Sequence, residues 1–461
     1  MMERLSPGIP MNVARRRVDR DRFALSNPSW MSTALAMLLL ACAGCTDRGE
    51  PIGGPQPAPV PPPFRAASTC GGCHPQHLAE WEASTHAYGG VDPLMQAMSE
   101  LARQEVGEER GGSCKSCHAA ALTRQEQWLA AGHTFSEEHP EEDLTTDGVS
   151  CDVCHSVNIV PPVGSIDFLV DVDPRGPKLG GIADPIDNSF HASLVDDSFR
   201  TSVQCGFCHQ VHAANGTGLE NTMKEWTDSI LSGMGIECQD CHMPPYSGTA
   251  AVDGPLRTVH RHDFVGVDYA YEPFRGVDLA AQKQAIRDLL QGSVAASLDI
   301  PPPMPPGDTI TVRVPVTNSF TGHAIPSGVT FAREMWIALV VKDANGTEIY
   351  TSGQLEPNGD LHVSPDLVKF GAVMRDANGD PTFFTWRAES IDESGLIQYG
   401  QTRTGTWIVP VPVGTPRPLS VTATLRFRPV SPAMVRSLDL ERLLPIEIFD
   451  MWTETKSVPL P

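Results

Sequence analysis

Two observations on the 461-residue sequence predict an α+β multidomain fold. Five Cys-x-x-Cys-His pentapeptides crowd into residues 69–266, and beyond a proline run at 301–306 the apolar residues switch to a period of two. The first region reads as mostly helical and loop-rich, the second as an immunoglobulin-like β-sandwich.

Residues 1–41 read as a signal peptide. Arg15, Arg16, Arg17, Arg20 and Arg22 precede an apolar run over residues 30–41, which suits an export signal and is too short to span a bilayer. The run ends in Leu39-Leu40-Ala41-Cys42, a lipobox pattern that makes Cys42 the lipidated first residue of the mature chain. Cys45 fits the pattern less well, and an ordinary cleaved signal peptide is the competing reading. Residues 42–68 hold Pro51, Pro55, Pro57, Pro59 and Pro61 to Pro63, the composition of a semi-rigid tether.

The pentapeptides of residues 69–266 begin at Cys70, Cys114, Cys151, Cys205 and Cys238. With 12 Cys and 15 His in the chain, chance supplies roughly 0.01 such motifs. Paired thiols at this spacing (Cys70/Cys73, Cys114/Cys117, Cys151/Cys154, Cys205/Cys208, Cys238/Cys241) can add to the two vinyl groups of a haem. The next residue, His74, His118, His155, His209 or His242, then becomes the proximal iron ligand. Zinc thiolate sites and disulfides compete, but neither accounts for a histidine after every pair. Five haem c groups are expected, close together, because the motif starts lie only 44, 37, 54 and 33 residues apart.

Residues 267–300 form a helical linker: Asp278 caps a helix over 277–292 whose Ile286, Leu289 and Leu290 share a face, and Gly292 stops it. This helix is expected to pack on the haem region. In residues 301–461, Ile310, Val312, Val314 and Val316 alternate with polar residues, as do Leu419, Val421, Ala423, Leu425 and Phe427. Asp343 to Gly346 and Asp376 to Asp380 supply turns, and Pro410 and Pro412 suit an edge strand. The sandwich is expected to run to about residue 430, followed by a short helical tail. Asp376, Asn378 and Asp380 could instead open a calcium loop, although its closing acid is missing.

Ten histidines lie outside the motifs, enough for every iron to be bis-histidine. Trp81-Glu82-Ala83-Ser84-Thr85-His86-Ala87 resembles the W-x-x-S-x-H-A element of the multihaem family typified by the tetrahaem cytochrome c-554 of ammonia oxidisers. Asp147 to Ser150, Phe190 to Ser193, Gly235 to Glu237, Met243-Pro244 and His262 to Phe264 extend the resemblance over residues 69–266. It implies that His86, His191 and His262 are distal ligands. His133 and His323 complete the set with less support; His323 sits in a G-H-x-x-P-[ST]-G loop similar to one in sandwich domains appended to bacterial multihaem cytochromes. If His323 reaches a haem, the β region is docked on the haem region. Trp226 to Ser229 repeats the W-x-x-S start, but Leu231 stands where His86 does, so this echo cannot ligate. The five motifs against the prototype's four, and the added β region, leave haem pairing open.

The formal charge is −22, and removing residues 1–41 takes away six Arg and three acids, which brings it near −25. Such a chain is expected to avoid nucleic acid, to touch membranes through its N-terminal lipid only, and to meet redox partners with basic docking surfaces. The expected function is electron transfer in the bacterial cell envelope, on the periplasmic face or outer membrane. The alternative is a reductase or oxidase of a small nitrogen or sulfur compound at one five-coordinate haem. No Cys-x-x-Cys-Lys motif, which nitrite-reducing relatives use, occurs.

Overall fold

The computed structural model describes residues 62–137, 140–156, 175–301 and 309–459, all within one compact unit spanning 59–461. The signal, Cys42, Cys45, most of the tether and His139 lie outside the described residues.

As the close motif spacing requires, the haem region is a string of short elements. Three motifs sit on one-turn helices, Ser113–His118, Cys151–His155 and Cys238–His242. The first begins in the last residues of the helix Ala67–Gly71. The fourth follows a 3-10 turn, Ser202–Gln204. A longer helix, α1 (Pro93–Val106), begins where Asp92 accepts a hydrogen bond from Leu94 N at 2.8 Å. A hairpin of β1 (Pro245–Thr249) and β2 (Leu256–His260) follows the fifth motif. Apolar clusters here are small: one gathers Phe64, Ala66, Ala120, Ala121, Leu144 and Val153.

The helix α2 (Leu279–Ser293) starts at Asp278, whose carboxylate accepts from Ala280 N and Ala281 N, as the sequence predicts. Gly292 is inside it, and the helix ends at Val294. Its buried Ile286 and Leu290 join the β core instead of the haem region, a correction to the expected packing. The apolar stripe faces the larger apolar surface, and Gln282 reaches back, donating to Ala83 O at 3.0 Å.

Two antiparallel sheets share that core. One holds β3 (Thr309–Thr317) beside β6 (Thr402–Pro410); the other runs β5 (Glu348–Ser352), β4 (Glu334–Lys342), β7 (Leu419–Arg428), β8 (Phe449–Val458). The alternating Ile310, Val312, Val314 and Val316 are all buried, and Pro410 ends an edge strand where no partner needs its missing N–H. The continuous apolar run Met335 to Leu339 is central β4, covered on both faces. The expected helical tail is one helix, Pro432–Ser437, after which β8 returns to pair with β7 along its length. A bulge at Leu425/Arg426 breaks the pairing register, and apolar alternation in β8 is confined to its ends, which hid the strand. Asp376 accepts from Asn378 N at 2.9 Å and Asp380 N at 3.0 Å, a plain turn.

The β region is docked. Ala324 N and Ser327 Oγ donate to Glu225 at 3.1 and 2.6 Å, and Gly328 N to Thr222 Oγ1 at 3.2 Å. Arg333 grips Asp268 bidentately at 2.5 and 2.7 Å.

Candidate functional site

With metal–nitrogen bonds of about 2.0 Å and a ring centre about 1.15 Å behind each nitrogen, two axial imidazoles on one iron stand roughly 6.3 Å apart. Four motif histidines meet this spacing. His74 faces His191 at 6.4 Å and 22°, and His155 faces His262 at 6.3 Å and 27°. His209 faces His86 at 6.3 Å and 68°, and His242 faces His323 at 6.4 Å and 22°.

Backbone carbonyls orient these rings. His74 Nδ1 lies 2.5 Å from Ala250 O, His155 Nδ1 2.6 Å from Leu179 O, and His242 Nδ1 2.8 Å from Val265 O. Opposite them, Nδ1 of His191, His262 and His323 faces the carbonyls of Ala192, His260 and Ala324 at 3.0, 2.9 and 2.9 Å. A carbonyl only accepts, so each Nδ1 carries the proton and Nε2 keeps its lone pair for a metal. Burial also holds the free rings neutral, with His86 and His262 lowered to about 3 and His323 to about 4.

His86 is set by local geometry. Ser84 caps the turn Thr85–Tyr88, and Val149 N donates to His86 O at 2.8 Å. Gly148 crosses so closely that a Cβ there would stand 2.2 Å from His86 O, which is the reason for glycine. Trp81 Nε1 donates to Val149 O at 2.7 Å, and the echo repeats the bond, Trp226 Nε1 to Ile236 O at 2.9 Å. Each indole thus clamps the residue two places before a motif, the third and the fifth. The loop carrying His323 lies over the echo: a Cβ on Gly322 would touch Trp226 at 3.0 Å and Leu231 at 3.6 Å.

His133, expected as a distal ligand, stacks on Trp128 at 4.9 Å and 13° and is exposed, and among the described residues it faces no motif histidine. It follows Gly132, which has a positive φ, just after the helix Ala120–Ala130. Among the described residues no imidazole ring stands opposite His118. The His118 residue is exposed to solvent, while desolvation of its ring lowers its pKa.

None of the ten motif cysteines is in a disulfide. Side chains touch across motifs, Cys70 with Cys151, Cys117 with Cys208 and Cys205 with Cys238. The first motif therefore adjoins the third, and the fourth adjoins both the second and the fifth. Among the described residues, the group of three ligand-type side chains within 4.8 Å of one another is His77, Glu80 and His262. No set of motif thiols converges as tetrahedral zinc demands, whereas facing imidazoles beside thiol pairs fit haem.

Residues 69–156 match the family model described as cytochrome c554 and c-prime. The chain is a multihaem c-type cytochrome. This cytochrome resembles in fold the crystal structure of a penta-haem cytochrome c552 from Thermochromatium tepidum, with TM-score 0.61 and 21% identity. That likeness covers 86% of this chain and 99% of the other, so it extends beyond residue 300 into the β region. No curated protein matches this cytochrome.

Sequence reasoning missed the carbonyl partners of the motif rings and the pairing, both set by segments beyond the motifs themselves. The His77, Glu80, His262 contact was also missed, because 185 positions separate His77 from His262. Its ring lies 4.6 Å from that of His262.

Proposed function

We propose that this protein is an exported electron carrier holding five haem c groups, four of them bis-histidine. The observation that carries the reading is the set of four facing imidazole pairs at 6.3–6.4 Å. Bound haem supplies one-electron iron chemistry; the chain supplies ten thiols for attachment, five proximal imidazoles, and His191, His262, His86 and His323 opposite the first, third, fourth and fifth. Two strong axial ligands leave an iron no position for substrate, which suits transfer over turnover. The C-terminal sheets are read as an immunoglobulin-like sandwich that carries His323 inward.

Cys42 is read as the lipidated residue, with residues 42–68 as tether. No helix among the described residues is long and apolar enough to cross a membrane, so envelope attachment rests on that lipid. Basic redox proteins are the expected partners and nucleic acid is not.

A second reading, a reductase or oxidase of a small nitrogen or sulfur compound, is favoured by His118, the motif histidine that no imidazole faces among the described residues. Low-temperature EPR of the purified protein tests both. Four low-spin signals are expected; a high-spin ferric signal that moves with nitrite or hydroxylamine supports the enzyme reading, and five low-spin irons remove it. Fewer than four low-spin irons refute the assignment of pairs.

A further inference from the structure

The first histidine pair lies at the surface, where exposed apolar side chains gather. Val252 N donates to Cys73 O at 2.8 Å and Ala250 O holds His74, so the tip of the β1–β2 hairpin covers the first motif. Arg257 on β2 reaches Asp184 at 2.8 Å, which brings the segment bearing His191 to the same face. Around the pair stand Phe190 (78% exposed), Leu256 (72%), Ile186 (61%), Val252 (54%) and Leu194 (52%). Scattered exposed apolar residues are ordinary; here Ile186, Phe190 and Leu194 flank His191 in the chain, and Val252 and Leu256 lie on the hairpin that covers the first motif.

The surroundings are acidic. Asp184, Asp187, Asp196, Asp197 and Asp253 lie on these two segments, and the cations among them, Arg200 and Arg257, are each tied to an acid, at 2.9 Å to Asp197 and 2.8 Å to Asp184. The rim is negative in a chain of formal charge −22.

We infer that this face is the electron port, and that its occupant is a redox protein presenting an apolar centre ringed by lysines. The charge decides the occupant: opposite rims steer the encounter, and the apolar centre shortens the transfer distance by excluding water. In the step one electron leaves a ferrous iron here as the partner's ferric iron becomes ferrous, and no proton moves. The inference rests on the carrier reading and adds the surface and the kind of partner.

The test uses the full, haem-loaded chain and a lysine-rimmed monohaem cytochrome c as probe. Variants are Leu256→Ser, the pair Asp197→Asn with Asp253→Asn, and Val413→Ser as a control on an 87% exposed side chain of the β region. Stopped-flow oxidation and the dissociation constant are measured at low and high salt, beside the potentials. Leu256→Ser is expected to slow transfer about fivefold at both salts, and the double variant about tenfold at low salt only, with potentials and Val413→Ser unchanged. Wild-type rates and affinity in both test variants overturn the inference. So does a changed potential with unchanged affinity, which would mean that Leu256 seats the macrocycle. Failure of the wild type to exchange electrons even with hexacyanoferrate overturns the carrier reading, and this inference with it.

Discussion

Replacing Gly148 by alanine should remove one low-spin iron without touching any ligand. The new Cβ would lie 2.2 Å from His86 O, 1.2 Å inside the 3.4 Å at which ordinary contact begins, and the obstacle is backbone that cannot swing aside. Relief by moving the turn Thr85–Tyr88 displaces His86 by about half an iron–nitrogen bond length of roughly 2.0 Å, enough to break the bond. Relief by moving residue 148 breaks Val149 N to His86 O at 2.8 Å and Gly148 N to Ala87 O at 3.3 Å, a loss of about 2 kcal/mol at about 1 per bond. EPR separates this site from the others, because His86 and His209 cross at 68° while the other pairs lie within 27°. Crossed imidazoles bring two iron orbitals close in energy and move the low-spin signal to larger g. Gly148→Ala should therefore lose the large-g signal and gain a high-spin one, as His86→Ala should. A large-g signal at full strength with an unchanged melting temperature would refute the argument.

His133→Ala should leave every iron signal unchanged, because its ring stacks on Trp128; a new high-spin signal would reinstate it as a ligand. In acid, the fifth site should open first. Native His323 stays neutral to about 4, and His86 and His262 to about 3, while the unfolded rings take protons below about 6.5. Stability from these rings is thus full above 6.5 and falls with pH below it, levelling near 4 for His323 and near 3 for the others; a spectral pH titration with His323→Ala as reference checks the order. Arg333→Leu should cost about 2 kcal/mol by chemical denaturation, below the 3–5 of a fully buried pair because Asp268 is 34% exposed.

The five motifs were the most legible part of the sequence, because haem attachment needs cysteines at one fixed spacing and a histidine beside them. On the proposed reading, distal ligation was readable only through neighbours: His86, His191 and His262 sit in recognisable elements, and His323 in a turn whose glycine and proline shape it. His133 had only a turn behind it, and turns also serve rings that merely stack. The pairing was not legible, since His74 meets His191 and His209 meets His86 through contacts over a hundred residues long. In the β region, strands with unbroken alternation declared themselves, whereas the bulged pairing of β8 obscured it. The helix α2 announced its start through Asp278, but which surface it would cover depends on the relative size of two cores.

On the proposed reading, His242 and His323 serve one iron although 81 positions separate them, and the second arrives on a loop that exists only once β3 and its neighbours have formed. During biogenesis the fifth iron therefore spends an interval with one axial position open, exposed to oxygen or other small ligands. Closure of the sheets ends that interval. On that reading the C-terminal β region would act as a maturation seal, and its slowest folding step would set how long a newly exported molecule carries a reactive iron.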